Sequence, residues 1–69
     1  MTYQTLITFG ERVHAERIRQ GFTPRGLARR VNISTEEELQ IERGKKDVSI
    51  VYAKVFAAAL HVRLSDLLE

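Results

Sequence analysis

Catalysis needs a nucleophile and a base held within reach of each other, and the residue types that could supply them are thinly spread in this chain. The 69 residues contain no cysteine and only two histidines, His14 and His61, far apart and with no spacing that suggests a metal pair. Disulfides and thiolate metal sites are therefore excluded. No motif brings a hydroxyl, a base and an orienting group together. The expectation is a protein that is not an enzyme and takes neither cofactor nor metal.

The charged residues say more. Eleven Lys and Arg stand against nine Asp and Glu, a net charge of +2. Residues 1–31 carry Arg12, Arg17, Arg19, Arg25, Arg29 and Arg30 against Glu11 and Glu16. Residues 32–44 reverse the sign, with Glu36, Glu37, Glu38 and Glu42 against Arg43. Residues 45–69 are nearly balanced, Lys45, Lys46, Lys54 and Arg63 facing Asp47, Asp66 and Glu69. Segregation of this kind marks either a polyanion partner or solvated charged faces.

The elements that position these charges are all helical. Leu6, Phe9, Val13 and Arg17 share one face of a helix over about 5–20, with Ile7, Ala15 and Ile18 as a weaker second stripe. Gly21 closes it after an arginine-rich last turn. Thr23-Pro24 reads as a cap and first position of a short helix over 24–31 that buries Leu27, Ala28 and Val31. Asn32 suits a left-handed turn. Ser34 caps a third helix over about 35–43, ended by Gly44. Ser49 caps a fourth over 50–59, with Ile50, Ala53, Ala57 and Leu60 on one face and Val51, Val55 and Ala58 nearly opposite. Tyr52 and Phe56 serve as core residues or as dimer anchors, and Ser65-Asp66-Leu67-Leu68 forms a last short turn. The expectation is one all-α domain over 1–69 with five helices. No apolar run approaches the roughly 20 residues of a membrane span, and the N-terminus lacks signal-peptide features. A cytoplasmic chain is expected, one small enough to gain stability from dimerisation.

Two short helices joined by a tight turn over 24–43 form the arrangement that projects a second helix into a DNA major groove. The chain resembles the lambda-repressor-like helix-turn-helix family of phage repressors and Cro proteins. The resemblance rests on Gly10, Val13, Arg17 and Gly21-Phe22-Thr23, on Leu27-Ala28, on Asn32-Ile33-Ser34 and on Ile41-Glu42-Arg43-Gly44-Lys45. It continues through Ala57, Leu60-His61-Val62, Leu64 and Asp66-Leu67-Leu68, and so covers nearly the whole chain. It implies a compact five-helix domain that binds double-stranded DNA, commonly as a homodimer on two half-sites. It places base-reading positions at Thr35, Glu36 and Gln40, and phosphate-contacting positions at Thr23, Arg25, Arg43, Lys45 and Lys46. Pro24 departs from the family, which often has a phosphate-contacting glutamine there. The resemblance also implies a structural ion pair between Arg17 and Glu42. From the residues alone, an arginine on an apolar face either finds such a partner or reaches to solvent.

Glu36-Glu37-Glu38 is the larger departure. A glutamate can accept from cytosine N4, but three carboxylates oppose non-specific binding, which comes from neutralising phosphates. In the family the position of Glu38 is apolar and faces inward. Either Glu38 meets a buried cation, or the helix turns so that Leu39 partly replaces it. His14 is expected to be a solvated surface residue, Arg29-Arg30 a solvated pair, and Val51/Val55 a self-association patch or core. Two functions follow: a sequence-specific DNA-binding transcriptional regulator, or a helix-turn-helix-shaped module for a protein partner, of antitoxin-like kind, whose acidic helix does not read DNA.

Overall fold

Thr2 opens the first helix: its Oγ1 accepts from the Thr5 amide at 3.1 Å. The helix therefore begins at Tyr3, ahead of the apolar stripe that opens at Leu6. The computed structural model covers residues 1–69 and contains α1 (Tyr3–Arg19), α2 (Pro24–Arg30), α3 (Thr35–Glu42), α4 (Ile50–Leu60) and α5 (Leu64–Leu68). Thr23, Ser34 and Ser49 cap α2, α3 and α4, accepting from Gly26 N, Glu37 N and Tyr52 N at 3.0, 3.0 and 3.1 Å. At α5 the cap is inverted, with Asp66 Oδ2 accepting from the Arg63 amide at 3.0 Å.

One device closes all four longer stretches. After α1, Phe22 N reaches Arg17 O at 3.0 Å and Gly21 N reaches Ile18 O at 3.1 Å. The same pair of bonds recurs after α2, α3 and α4, from Ile33 to Ala28, Lys45 to Gln40 and Val62 to Ala57. Each needs a residue with positive φ, supplied by Gly21, Asn32, Gly44 and His61. His61, at φ 56°, is the one that nothing in the sequence singled out.

Phe9, Val13, Leu27, Ala53, Phe56, Leu60 and Leu67 are fully buried, so α1, α2, α4 and α5 meet in a single core. Phe9 and Phe56 pack edge to face, with centroids 5.6 Å apart and planes at 87°. Phe56 is thus core. Tyr52 is half-buried and donates its hydroxyl hydrogen to Val31 O, tying α4 to the end of α2. Ile50 does not join the buried stripe of α4: it is 49% exposed, on the turn before the helix meets the core. Ile18 is likewise exposed, and Ala15 with it, so of the second stripe of α1 only Ile7, partly buried against Gly44, is covered. Val51 and Val55 are 68% and 39% exposed, which removes the core explanation for that stripe. No helix is long and apolar enough to cross a membrane.

The backbones of α1 and α3 come close together at Gly10. A Cβ added at Gly10 would stand 2.4 Å from Ile41 O and 2.7 Å from Glu42 O, both backbone atoms. Gly10→Ala should therefore destabilise the fold by about 1–3 kcal/mol, although alanine favours a helix by about 1 kcal/mol. Thermal unfolding followed by circular dichroism measures this, and an unchanged or raised Tm would refute the close contact.

Candidate nucleic-acid interface

α2, the turn at Asn32-Ile33-Ser34 and α3 form a helix-turn-helix. Val31 and Ile41 are buried and Ile33 packs against the core, so the inner sides of both helices are held and the outer side of α3 is left to solvent. The sequence-predicted positions fall around that outer side. Glu36 is exposed, while Thr35 and Gln40 are partly exposed. Thr23 and Arg25 lie at the start of α2, and Arg43 and Lys45 follow α3; all four are exposed. Arg25, Arg43 and Lys45 take part in no ion pair, so their charges are available to an anion. Lys46 differs, because its Nζ lies 3.6 Å from Glu37 Oε2. Of the expected solvated pair Arg29-Arg30, both are exposed, and Arg30 stacks over the Phe22 ring with its guanidinium carbon 4.7 Å from the centroid.

The three consecutive glutamates have three different fates. Glu37 completes a capping box: its Oε1 accepts from Ser34 N at 3.3 Å while Ser34 Oγ accepts from Glu37 N at 3.0 Å. That backbone hydrogen bond, with the Ser34 hydroxyl and the Lys46 charge, holds its carboxyl below the usual range. Glu36 accepts from Gln40 Nε2 at 3.4 Å, one turn on along the same face. Glu38 is fully buried.

Behind α3 sits the group that positions it. Arg17 is buried on α1 and grips Glu42 with two bonds, Nε to Oε2 at 2.6 Å and Nη2 to Oε1 at 3.1 Å. Its Nη1 donates to Phe22 O at 3.0 Å, so one guanidinium joins α1, its exit turn and the end of α3. His14 Nδ1 lies 2.6 Å from Glu42 Oε1. A carboxylate only accepts, so that nitrogen carries the hydrogen. The 3.3 Å approach of Arg17 Nη2 to the same nitrogen then sets donor against donor and is no bond. His14 is thus exposed yet anchored, rather than freely solvated. Burial raises the Glu42 pKa, but the hydrogen bonds from Arg17 and His14 outweigh it and the group stays below the usual carboxylate range. The same hydrogen bonding raises Arg17 further.

Glu38 follows neither expected course. The helix keeps its register, with Glu38 inside and Leu39 only partly buried, and no donor from another residue reaches either Glu38 oxygen. Arg17 favours the charged form but spends its hydrogen bonds on Glu42 and Phe22. Burial above all, then the nearby Glu42 carboxylate, push Glu38 up to about 9. At neutral pH it is a carboxylic acid near the Glu42 carboxylate, with neither oxygen in a hydrogen bond. The sequence marked the position as anomalous, but not that a second carboxylate would stand near it.

Two short helices, a tight turn and unpaired cations flanking the exposed helix define a helix-turn-helix domain. No protein-family model and no curated protein matches the sequence. Solved structures do. The restriction-modification controller protein C.AhdI from Aeromonas hydrophila is similar to this chain with a TM-score of 0.84 and 29% identity, over 90% of this chain and 94% of that one. The clp gene regulator ClgR from Corynebacterium glutamicum is similar with a TM-score of 0.87 and 28% identity, over 93% and 83%. A hypothetical transcription factor, NHTF, from Neisseria shares the fold at a TM-score of 0.89 and 21% identity, over 100% and 80%. The chain has the helix-turn-helix fold of the lambda-repressor and Cro type.

The buried acid makes stability depend on pH. Its folded pKa of about 9 lies above its usual 4.5, so between those values the folded state holds more protons than the unfolded one. Stability from this group is full below about 4.5 and is lost as pH rises, by up to about 1.4 kcal/mol per unit. Glu42 runs the other way, its contribution present above the usual carboxylate range and lost as pH falls through its lowered value. Tm should fall from pH 6 to pH 9. Glu38→Gln should flatten that slope, and Glu38→Met should raise stability at pH 8 by about 1–3 kcal/mol. A wild-type Tm that is flat over this range, measured by calorimetry, would show that Glu38 is not buried as an acid.

Proposed function

We propose that this chain is a sequence-specific DNA-binding transcriptional regulator. In this reading α3 enters the major groove, with Thr35, Glu36 and Gln40 toward the base edges. Thr23, Arg25, Arg43 and Lys45 hold phosphates on either side, while Lys46 stays against Glu37. The observation that carries the reading is that Arg25, Arg43 and Lys45, at the two ends of the helix-turn-helix, are exposed and in no ion pair, while Glu37, Glu38 and Glu42 are neutralised or engaged. Thr23 supports it too: its oxygen already accepts from Gly26 N at 3.0 Å, which leaves its hydrogen for a phosphate oxygen. The structural neighbours, a restriction-modification controller and a clp gene regulator, point to the same class.

The chain acts in this reading as a homodimer on a pseudo-palindromic site, with half-sites about one helical turn, ~34–36 Å, apart. Val51 and Val55, one turn apart on α4, form an exposed apolar patch, and a twofold contact there would cover it. A second reading, a module for a protein partner, is favoured by one observation: Glu36, on the exposed side of α3, is not neutralised by any cation.

A salt titration separates the two. Binding to duplex DNA should weaken linearly in log–log form as salt rises, and Arg43→Ala and Lys45→Ala should each reduce the slope by about 1. No binding at 50 mM salt would favour the protein-partner reading. For the dimer, Val51→Asp with Val55→Asp should convert a dimer to monomer in analytical ultracentrifugation without loss of helicity. A wild-type chain that is monomeric at high micromolar concentration, with and without DNA, would remove the self-association patch.

A further inference from the structure

We infer that Glu36 and Gln40 act as one reading unit that presents two acceptor oxygens and one amide hydrogen outward, and that the unit selects exocyclic amino groups: cytosine N4 opposite Glu36 and adenine N6 opposite Gln40. The inference rests on the DNA-binding reading and gives it a chemical specificity. Of the three adjacent glutamates, Glu38 is sealed in the core and Glu37 is spent on the Ser34 cap and Lys46. Only Glu36 is left to face a ligand. The charge that α3 carries into a groove is therefore one carboxylate and not three.

The Gln40 bond removes an ambiguity in how that carboxylate is used. Nε2 of Gln40 donates to Glu36 Oε1 at 3.4 Å. A carboxylate has no hydrogen to give, so the amide is turned with its NH2 toward Glu36 and its Oε1 away. After that bond the pair still holds Glu36 Oε2, Gln40 Oε1 and one amide hydrogen. In the major groove the only base donors are cytosine N4 and adenine N6, whereas guanine and thymine offer O6, N7 and O4. A carboxylate facing those acceptors loses water and gains no hydrogen bond, which is a penalty larger than the bond it forgoes. Glu36 thus demands an amino group on the strand it faces. Gln40 Oε1 with the remaining N–H matches adenine N6 with N7. The two side chains meet at their tips, 3.4 Å apart, which matches the roughly 3.4 Å between successive bases on a strand, so the two bases are neighbours. The same carboxylate repels phosphates, which lowers non-specific binding and widens the gap between right and wrong sites.

The test uses the full chain. A preferred site is first selected from a random duplex library. Each cytosine in it is then replaced in turn by pyrimidin-2-one, and each adenine by purine, so that only the amino group is removed. Anisotropy titrations should find two neighbouring positions on one strand where the wild type loses about five- to a hundredfold in affinity. Glu36→Ala should be indifferent at the cytosine and still sensitive at the adenine, and Gln40→Ala should do the reverse; both variants keep wild-type helicity, since both side chains lie on the outer side of α3. Wild-type tolerance of every amino deletion, or Glu36→Ala and Gln40→Ala profiles identical to wild type, overturns this inference and leaves the DNA-binding reading standing. A library from which no sequence is enriched overturns the DNA-binding reading and this inference with it.

Discussion

The buried Arg17–Glu42 pair is the constraint on which the arrangement of α3 depends. α3 is only eight residues long, and of its side chains only Ile41 gives the core a buried apolar group. A helix that short is marginal on its own, so its placement must come from tertiary contacts. The Arg17 guanidinium supplies one from α1 through two parallel bonds to Glu42, and a third to Phe22 O locks the turn leading to α2. Taking two charges out of water offsets most of their attraction, so such a pair adds little net stability. What it adds is geometry. With Gly10 allowing the backbones of α1 and α3 to touch, the pair sets the distance and rotation of α3, and hence which residues face outward.

Glu38 is intelligible only beside that pair. An apolar side chain in its place would be the ordinary solution, and the acid is held there at a cost that grows with pH. Its proton removes the repulsion between two neighbouring carboxylates. Glu42 receives bonds from Arg17 and His14, and with Arg17 as its main partner its pKa is lowered despite its burial. The charge of the cluster is thereby close to balanced: Arg17 against Glu42, with Glu38 neutral.

Much of the fold was legible because it rests on local rules. The caps at Thr23, Ser34 and Ser49, the positive-φ positions Gly21, Asn32 and Gly44, and the core residues Phe9, Val13, Leu27 and Leu60 follow from residue type and helical spacing. The helix boundaries fall within two residues of those read from the sequence. What was not legible depends on tertiary context. Thr2 precedes any apolar periodicity, so nothing marked it as a cap. His61 adopts a conformation that its residue type does not require. Ile50 lies on the apolar side of its helix yet before the point where the helix reaches the core. The partners of Arg17 and Glu42 were readable, whereas His14 and Glu38 were not, since both reach Glu42 across space that only packing defines. The fates of the three glutamates likewise differ by rotation of about 100° per residue, which periodicity describes, and by which neighbour stands there, which it does not.

That rotation bears on the apparent conflict between an acidic helix and an anionic ligand. A sum over residues 32–44 treats four carboxylates as equal, and they are not. Glu42 is cancelled by Arg17, Glu38 is protonated, and Glu37 is engaged by a backbone amide and Lys46. The field felt by a duplex approaching α3 is then that of Glu36, flanked by Arg25, Arg43 and Lys45. One negative charge among three positive ones is weak opposition to phosphates and strong discrimination at a base edge, because a desolvated carboxylate tolerates only donors. The segment that by net charge argues against DNA is therefore compatible, residue by residue, with the base-reading role proposed for it.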